Sequence, residues 1–486
     1  MFVDRLSQKV SVSAIYVLVM FMSIMDVTIV NVALPRLGRE FSVPAAHVDT
    51  VVVGYLVSLA IFIPVSGWLG DRYGTKRVLL AALVVFTAAS ALCGAAQSLN
   101  QLVLFRVLQG VGGGMLAPVG LAMLFRTFPP AERVRASRIL IVPTALAPAI
   151  GPVLGGLLVT DISWRWVFYV NLPLGLIGVV FCALFVREQR NDEPGRFDLP
   201  GFLLSGIGFG AVMYAASEGP AKGWTSAPIL ASGVVGVVLL AVLVRVELRT
   251  TRPMLDLRLL SNRLFRRTTA TMVLSIAAFL GSLFLVALFY QDGFGVSALQ
   301  SGLSTFPEAI GIMVGAQIAG RIYPHIGPRR LMIGGLLGVA ATLSLIATVP
   351  FTASLWEMRA LMLLIGLCQA HVFVPAQAAA FATVTPAATG GASTMFNAGR
   401  QLGGAVGVAI LSTVISTIGV IHQVDGELRP NAHAYHVAFL VAAAIAVSAV
   451  VIVIRIVDRD AAPTMYIKGS SEDAVRPVPS AEASVA

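Results

Sequence analysis

GWLGDRYGTKRV, residues 67–78, follows the second of a series of long apolar runs, and GRIYPHIGPRRL, residues 320–331, follows the tenth. Gly67, Gly74, Lys76 and Arg77 of the first fall on Gly320, Gly327, Arg329 and Arg330 of the second at a single offset of 253 residues. The same offset carries Arg106 onto Arg359 and Gly151 onto Gly404. Three separated matches at one offset mark a duplication, and two related halves around a shared site is how many secondary transporters are built.

The surrounding chain belongs in a bilayer. Of its 486 residues, 57% are hydrophobic and 12% charged, with mean hydropathy +0.86, against roughly 45–50% and 25% in soluble domains. Spanning a ~30 Å hydrocarbon core takes about 20 residues of helix. Fourteen runs qualify, near 11–33, 47–69, 78–97, 101–124, 137–159, 165–186, 198–218, 226–246, 267–290, 299–323, 330–350, 355–375, 390–415 and 435–457. Their unbroken apolarity is that of helices rather than of alternating barrel strands. The expected organisation is an N-terminal six-helix bundle over 1–190, two inserted spans and linkers over 191–262, a second six-helix bundle over 263–457, and a polar, Pro/Ser-rich, disordered tail over 458–486. The first run is too long for a signal peptide and is read as a retained span.

A net charge of +10 has no soluble domain on which to form a nucleic-acid-binding face. Lys and Arg instead gather on one side of the membrane: with the N-terminus inside, 26 fall on inner segments, 6 on outer segments and 2, Arg106 and Arg400, within the membrane. The positive-inside rule then puts both termini in the cytoplasm of a multi-pass inner-membrane protein. Cys93, Cys182 and Cys368 lie far apart, the six histidines show no ligand spacing, and no GxxxxGK[ST] loop is present. Metal, nucleotide and enzymatic chemistry have no foothold.

Charged residues inside apolar runs are costly, about 2.5–3.5 kcal/mol on insertion scales. Asp26 interrupts MDVTIVNVALP (25–35) nine residues before Pro35, roughly 13 Å below the outer edge of the core, and Arg106 lies ~9 Å below it by the same rise. At matching depth the two can pair, and Gln109 shares the Arg106 face. Glu308, ~14 Å deep, shares its face with Gly311, Gly315 and Ala319, which turns it toward protein or a cavity. Asn31, Gln109, Gln317, Asn397, Arg400 and Gln401 offer a sparse polar lining within apolar walls.

These motifs together resemble the 14-span drug:proton antiporter branch of the major facilitator superfamily. GWLGDRYGTKR, with Gly67, Asp71, Arg72, Gly74, Lys76 and Arg77, is similar to that superfamily's signature loop, whose aspartate helps latch the halves on the inner side. MDVTIVNVALP resembles the first span of the branch, RVLQGVGGG (106–114) its span 4 motif, and GRQLGGAVG (399–407) its span 13. GPVLGG (151–156), with Gly151, Pro152, Gly155 and Gly156, resembles the antiporter motif of span 5. The resemblance implies an all-α integral membrane fold, two pseudo-symmetric six-helix bundles plus two inserted helices. It implies export of small hydrophobic or amphipathic compounds against protons, with protons as the coupling ion and no cofactor; from their burial and depth, Asp26, Arg106 and Glu308 are the residues expected to carry the coupling. A transporter dedicated to one metabolite, or an importer, is the alternative. A monomer in the lipid bilayer is expected, and whether a membrane-fusion protein joins it is left open. Some members of the branch carry acids in span 13, where this chain has Asn397 and Arg400, so cation recognition of that kind is not implied.

Overall fold

In the computed structural model, which describes residues 7–465 apart from 44, 191–194, 252 and 425–426, the apolar runs are helices, several of them capped by short polar side chains. Ser98 accepts from the Gln101 amide, Asn262 from Leu264 and Phe265, and Ser297 forms a reciprocal box with Gln300. Such caps occupy amides that the first helical turn leaves without partners.

The first bundle comprises α1 (Gln8–Glu40), α2 (Thr50–Tyr73), α3 (Thr75–Ala95), α4 (Leu99–Thr127), α5 (Arg133–Leu157) and α6 (Asn171–Phe185). The inserted pair is α7 (Leu199–Lys222) and α8 (Ala227–Arg249). The second bundle begins with α9 (Arg263–Leu288) and continues into a 49-residue helix, Ala298–Ile346. At 1.5 Å per residue that helix is about 73 Å long, twice what a bilayer needs. It breaks at Gly327, whose φ of 80° and ψ of 168° are non-helical, giving α10 (298–326) and α11 (328–346). Thirteen helices among the described residues are long and apolar enough to cross a membrane, and the broken one supplies two crossings. Then follow α12 (Leu355–Ala380), α13 (Thr389–Ile418), a two-stranded hairpin pairing Ile421 with Pro430, and α14 (Ala432–Val453).

The duplication is visible in the packing. In the first half α5 lies along α1, where a methyl on Gly151 would overlap the Thr28 side chain. In the second half α13 lies along α9 in the same way, with Gly404 at Leu280 and Ile276. Gly74 and Gly327, related by the same offset, both have φ near +90° (97° and 80°). Each sits under a carboxylate that caps the helix after it: Glu188 accepts from the Lys76 and Arg77 amides at 2.9 and 3.2 Å, and Asp458 from the Arg329 amide at 2.9 Å. A positive φ is open to glycine at little cost, and at both positions the missing side chain also leaves room for the acid.

Between the bundles, α7 packs on α2 of the first half and on α13 of the second, where the indole of Trp224 just beyond it donates to Thr413 Oγ1 at 2.8 Å. Outside it lies α8, packed chiefly on α7, with Val234, Val237 and Val238 exposed. The structure corrects one boundary: disorder does not begin at 458, because Asp458–Thr464 form a 3-10 helix held by Arg329 and by a 2.7 Å hydrogen bond between Tyr323 and Thr464. The remainder of the tail, 466–486, lies outside the described residues.

Candidate functional site

Asp26 and Arg106 meet. Arg106 Nη1 lies 2.6 Å from Asp26 Oδ2, and both side chains are fully buried. The other carboxylate oxygen accepts from Gln109 Nε2 at 2.9 Å and Asn171 Nδ2 at 2.8 Å. Arg106 Nη1 also donates to Gln109 Oε1 at 2.8 Å, and its Nε to the Val51 carbonyl at 3.4 Å. The guanidinium lies over the Tyr55 ring, 4.1 Å from its centroid, a placement that stabilises a desolvated cation. Four helices therefore converge on one carboxylate: α1 supplies it, α4 the arginine and glutamine, α6 the asparagine and α2 the ring.

This convergence follows from the glycines of RVLQGVGGG. A methyl on Gly110 would lie 2.7 Å from Ser58 Cβ, and one on Gly112 would lie 2.7 Å from the Ala82 carbonyl. With bare backbone there, α4 runs hard against α2 and α3 and carries Arg106 to Asp26. Asn171, Tyr55 and Ser90, which accepts from Asn171 Nδ2 at 3.1 Å, were not expected from the sequence. A lone asparagine at the start of an apolar run was the available signal for the first of them.

Glu308 is buried on α10 and has no ion pair or hydrogen bond among the described residues. The offset of 253 makes it the counterpart of Tyr55, and the packing agrees: Gly113 faces Tyr55, and its counterpart Gly366 faces Glu308. Arg359, the counterpart of Arg106, approaches Ser304 Oγ at 3.4 Å and the Trp356 ring at 4.5 Å instead. The position matching Asp26 is Phe279. The second half thus repeats the scaffold without the ion pair.

The signature loop joins the halves on the basic face, the face that carries both ends of the described chain. Arg126 donates to Asp71, and a methyl on Gly390 at the start of α13 would lie 2.8 Å from that carboxylate. Gly67 faces Thr394 and Gly390, and Ser66 and Thr394 are 3.3 Å apart. Arg126 donates also to the Pro386 carbonyl at 3.3 Å, Arg133 donates to the Phe381 carbonyl, and Phe125 stacks on Phe381 at 4.4 Å. Lys76 reaches the Ala183 carbonyl at 2.8 Å, while the Arg72 side chain is exposed. In this conformation the halves are shut against each other on the basic face.

The span 5 motif divides. Gly151 and Gly155 press α5 onto Thr28 and Ile29 of α1, one turn from Asp26. Among the described residues, nothing lies within 4 Å of the place a methyl on Gly156 would take, and the Pro152 side chain lies outside the described residues. The expected cavity lining is likewise revised. Between the halves lies a cleft of about 20 Å³ lined by Tyr16, Met272, Ile276, Phe373, Gln377 and Arg400, among others, room for roughly one water. Of the six residues read as its lining, only Arg400 borders it. Gln109 is spent on Asp26, and Asn397 donates to the Ser393 carbonyl of its own helix at 2.9 Å. Gln317 accepts from Arg138 at 3.4 Å below the cleft, Asn31 is exposed, and Gln401 does not line it. Face and depth along one helix do not show which neighbour takes up a polar group.

The Major Facilitator Superfamily model matches residues 16–408 and, in a second register, 269–483. The chain belongs to the major facilitator superfamily. Among its relatives, the Multidrug resistance protein B homolog of Mycobacterium tuberculosis (strain ATCC 25618 / H37Rv) is 34% identical over 412 residues, covering 83% of this chain and 76% of its own. The Putative multidrug resistance protein MdtD of Salmonella typhi is 32% identical over 410 residues, covering 83% and 85%. A solved structure, that of the human organic anion transporter MFSD10 (TETRAN), superposes with a TM-score of 0.66 over 92% of this chain and all of its own, at 15% identity. At that identity the likeness speaks for the fold alone. The protein is a multi-pass membrane transporter of this superfamily, related to proteins named for multidrug resistance, and not an enzyme.

Proposed function

We propose that the protein exports small hydrophobic or amphipathic compounds in exchange for protons, by alternating access of a cleft between its two bundles. The observation that carries the reading is the fully buried Asp26–Arg106 pair with its ring of side-chain donors. Every polar contact of the Asp26 carboxylate is with a donor, so Arg106, Gln109 and Asn171 stand in for the water it has lost. Any movement of α1 against α4 that separates it from Arg106 leaves a buried charge that a proton neutralises at least cost. Because α5 is pressed onto α1 through Gly151 and Gly155, α1 cannot shift without carrying part of the bundle wall. Protonation is thereby tied to rocking of the halves, and a cleft too small for a substrate in this conformation opens only when they separate.

One elementary charge crossing the membrane field supplies about 2.3 kcal/mol per 100 mV, close to 50-fold accumulation at ~1.4 kcal/mol per decade. The expected setting is the inner membrane, basic face and termini in the cytoplasm, as a monomer. The names of the relatives favour a broad drug-like range over a single metabolite. Inverted membrane vesicles with an acid interior test this reading with a panel of lipophilic dyes and antibiotics. Uptake that collapses with a protonophore is expected; uptake indifferent to the gradient, or driven in the opposite direction, refutes it.

A further inference from the structure

We infer that the inter-half cleft is a site for organic anions, with Arg400 holding the acid group of an amphipathic substrate. This rests on reading the cleft as the substrate route. Arg400 projects from α13 into the cleft and has no hydrogen-bond or ion-pair partner among the described residues. Beside it are the Tyr16 hydroxyl and the Gln377 amide, and the remaining walls are apolar, among them Met272, Ile276 and Phe373. A guanidinium is a planar fork suited to a carboxylate or similar oxyanion, and a hydrocarbon or aromatic body suits the walls.

The charges around the cleft agree. Its lining comes from α1, α5, α9, α12 and α13. Three of these, α5, α9 and α13, contain no Asp or Glu at all. On α1 the acids are Asp26, already neutralised by Arg106, and Glu40 at the far end; on α12 the acid is Glu357, in the first turn. Cations, by contrast, lead up to the cleft from the basic face. Arg138 lies three residues before the lining Ile141 on α5, hence on the same face, and Arg133 lies one turn further out against Phe381. Asp71 and Glu132, acids on this face, are taken by Arg126 and Lys9. Once the halves part on this face, a low-dielectric slot with one sign of charge concentrates anions and repels cations.

An unpaired cation inside the membrane is costly, and a bound oxyanion offsets that cost. A cationic amphiphile of the same size leaves it in place and adds repulsion.

The test is equilibrium binding to the purified full chain in detergent with no proton gradient, using three probes of one shape: 2-naphthoate, neutral 2-naphthamide and 2-naphthylmethylammonium. Tighter binding of naphthoate than of the ammonium by tenfold or more is expected, with Arg400→Gln abolishing that preference, Arg400→Lys keeping part of it, and naphthamide binding equally to all three proteins. Equal or tighter binding of the ammonium by the wild type, no detectable binding of naphthoate, or a preference unchanged in Arg400→Gln overturns the inference. So does full competition by millimolar chloride or phosphate, which would make Arg400 an inorganic anion site only. Since binding is read without a gradient, a failure of proton coupling leaves this result standing, and a failure here leaves proton coupling open.

Discussion

At the level of single residues, Asp26 and Arg106 are each other's solvation. Removing one partner of a buried pair strands the other, at a cost of roughly 3–5 kcal/mol. Asp26→Asn is therefore expected to lower thermal stability strongly, because Arg106 loses its counter-ion while remaining fully buried. The double variant Asp26→Asn/Arg106→Gln should recover most of that loss, since a neutral pair leaves no stranded charge. Thermal unfolding of the two purified proteins decides the matter, and equal destabilisation by both would show that the pair does not act as a unit. Asp26 and Arg106 were legible from sequence because charge inside an apolar run is rare and helical rise fixes depth. Asn171 was not, since nothing in one helix reveals which side chain a neighbouring helix presents.

The element scale is set by where backbone must touch. Gly151→Ala places a methyl into Thr28, and forcing extra atoms into a packed contact costs typically 1–3 kcal/mol. Gly156→Ala meets open space and should leave stability within about 0.5 kcal/mol. A comparable loss in both variants would contradict the helix contact described for α5 and α1. At Gly74 two penalties coincide, a φ of 97° and the Glu188 carboxylate in the space a methyl would need, so Gly74→Ala should be more harmful than Gly70→Ala, whose methyl meets only an ordinary contact with Thr75. Refolded yield and melting temperature of the pair measure this. The antiporter-type motif read as four residues thus separates, in space, into two that pack, one whose missing side chain faces open space and one whose side chain is not described. Sequence spacing gives the face of a helix but not the width of the gap opposite it, which explains why Gly156 looked the same as Gly155.

For the whole molecule, the duplicated offset carried most of what could be known in advance: two bundles and the place of the inserted helices. It also showed where the halves differ, since Glu308 stands where Tyr55 stands in the first half and Phe279 where Asp26 stands. What it left dark was the inter-half surface, because contacts such as Phe125 on Phe381 and Arg133 on the Phe381 carbonyl join positions that no periodicity relates. Ser66 and Thr394 meet across that surface at 3.3 Å. If rocking of the bundles is the transport motion, an oxidised Ser66→Cys/Thr394→Cys pair should arrest transport and a reductant should restore it. Transport unaffected by the cross-link would remove alternating access at this face.

Whether Asp26 carries the coupling proton is decided by dye uptake into inverted vesicles holding matched amounts of wild type and of the stability-restored Asp26→Asn/Arg106→Gln protein, with and without an acid interior. The account predicts gradient-driven accumulation in the wild type alone, with the variant reaching no more than the level seen without a gradient. Accumulation by the variant at the wild-type rate would contradict it.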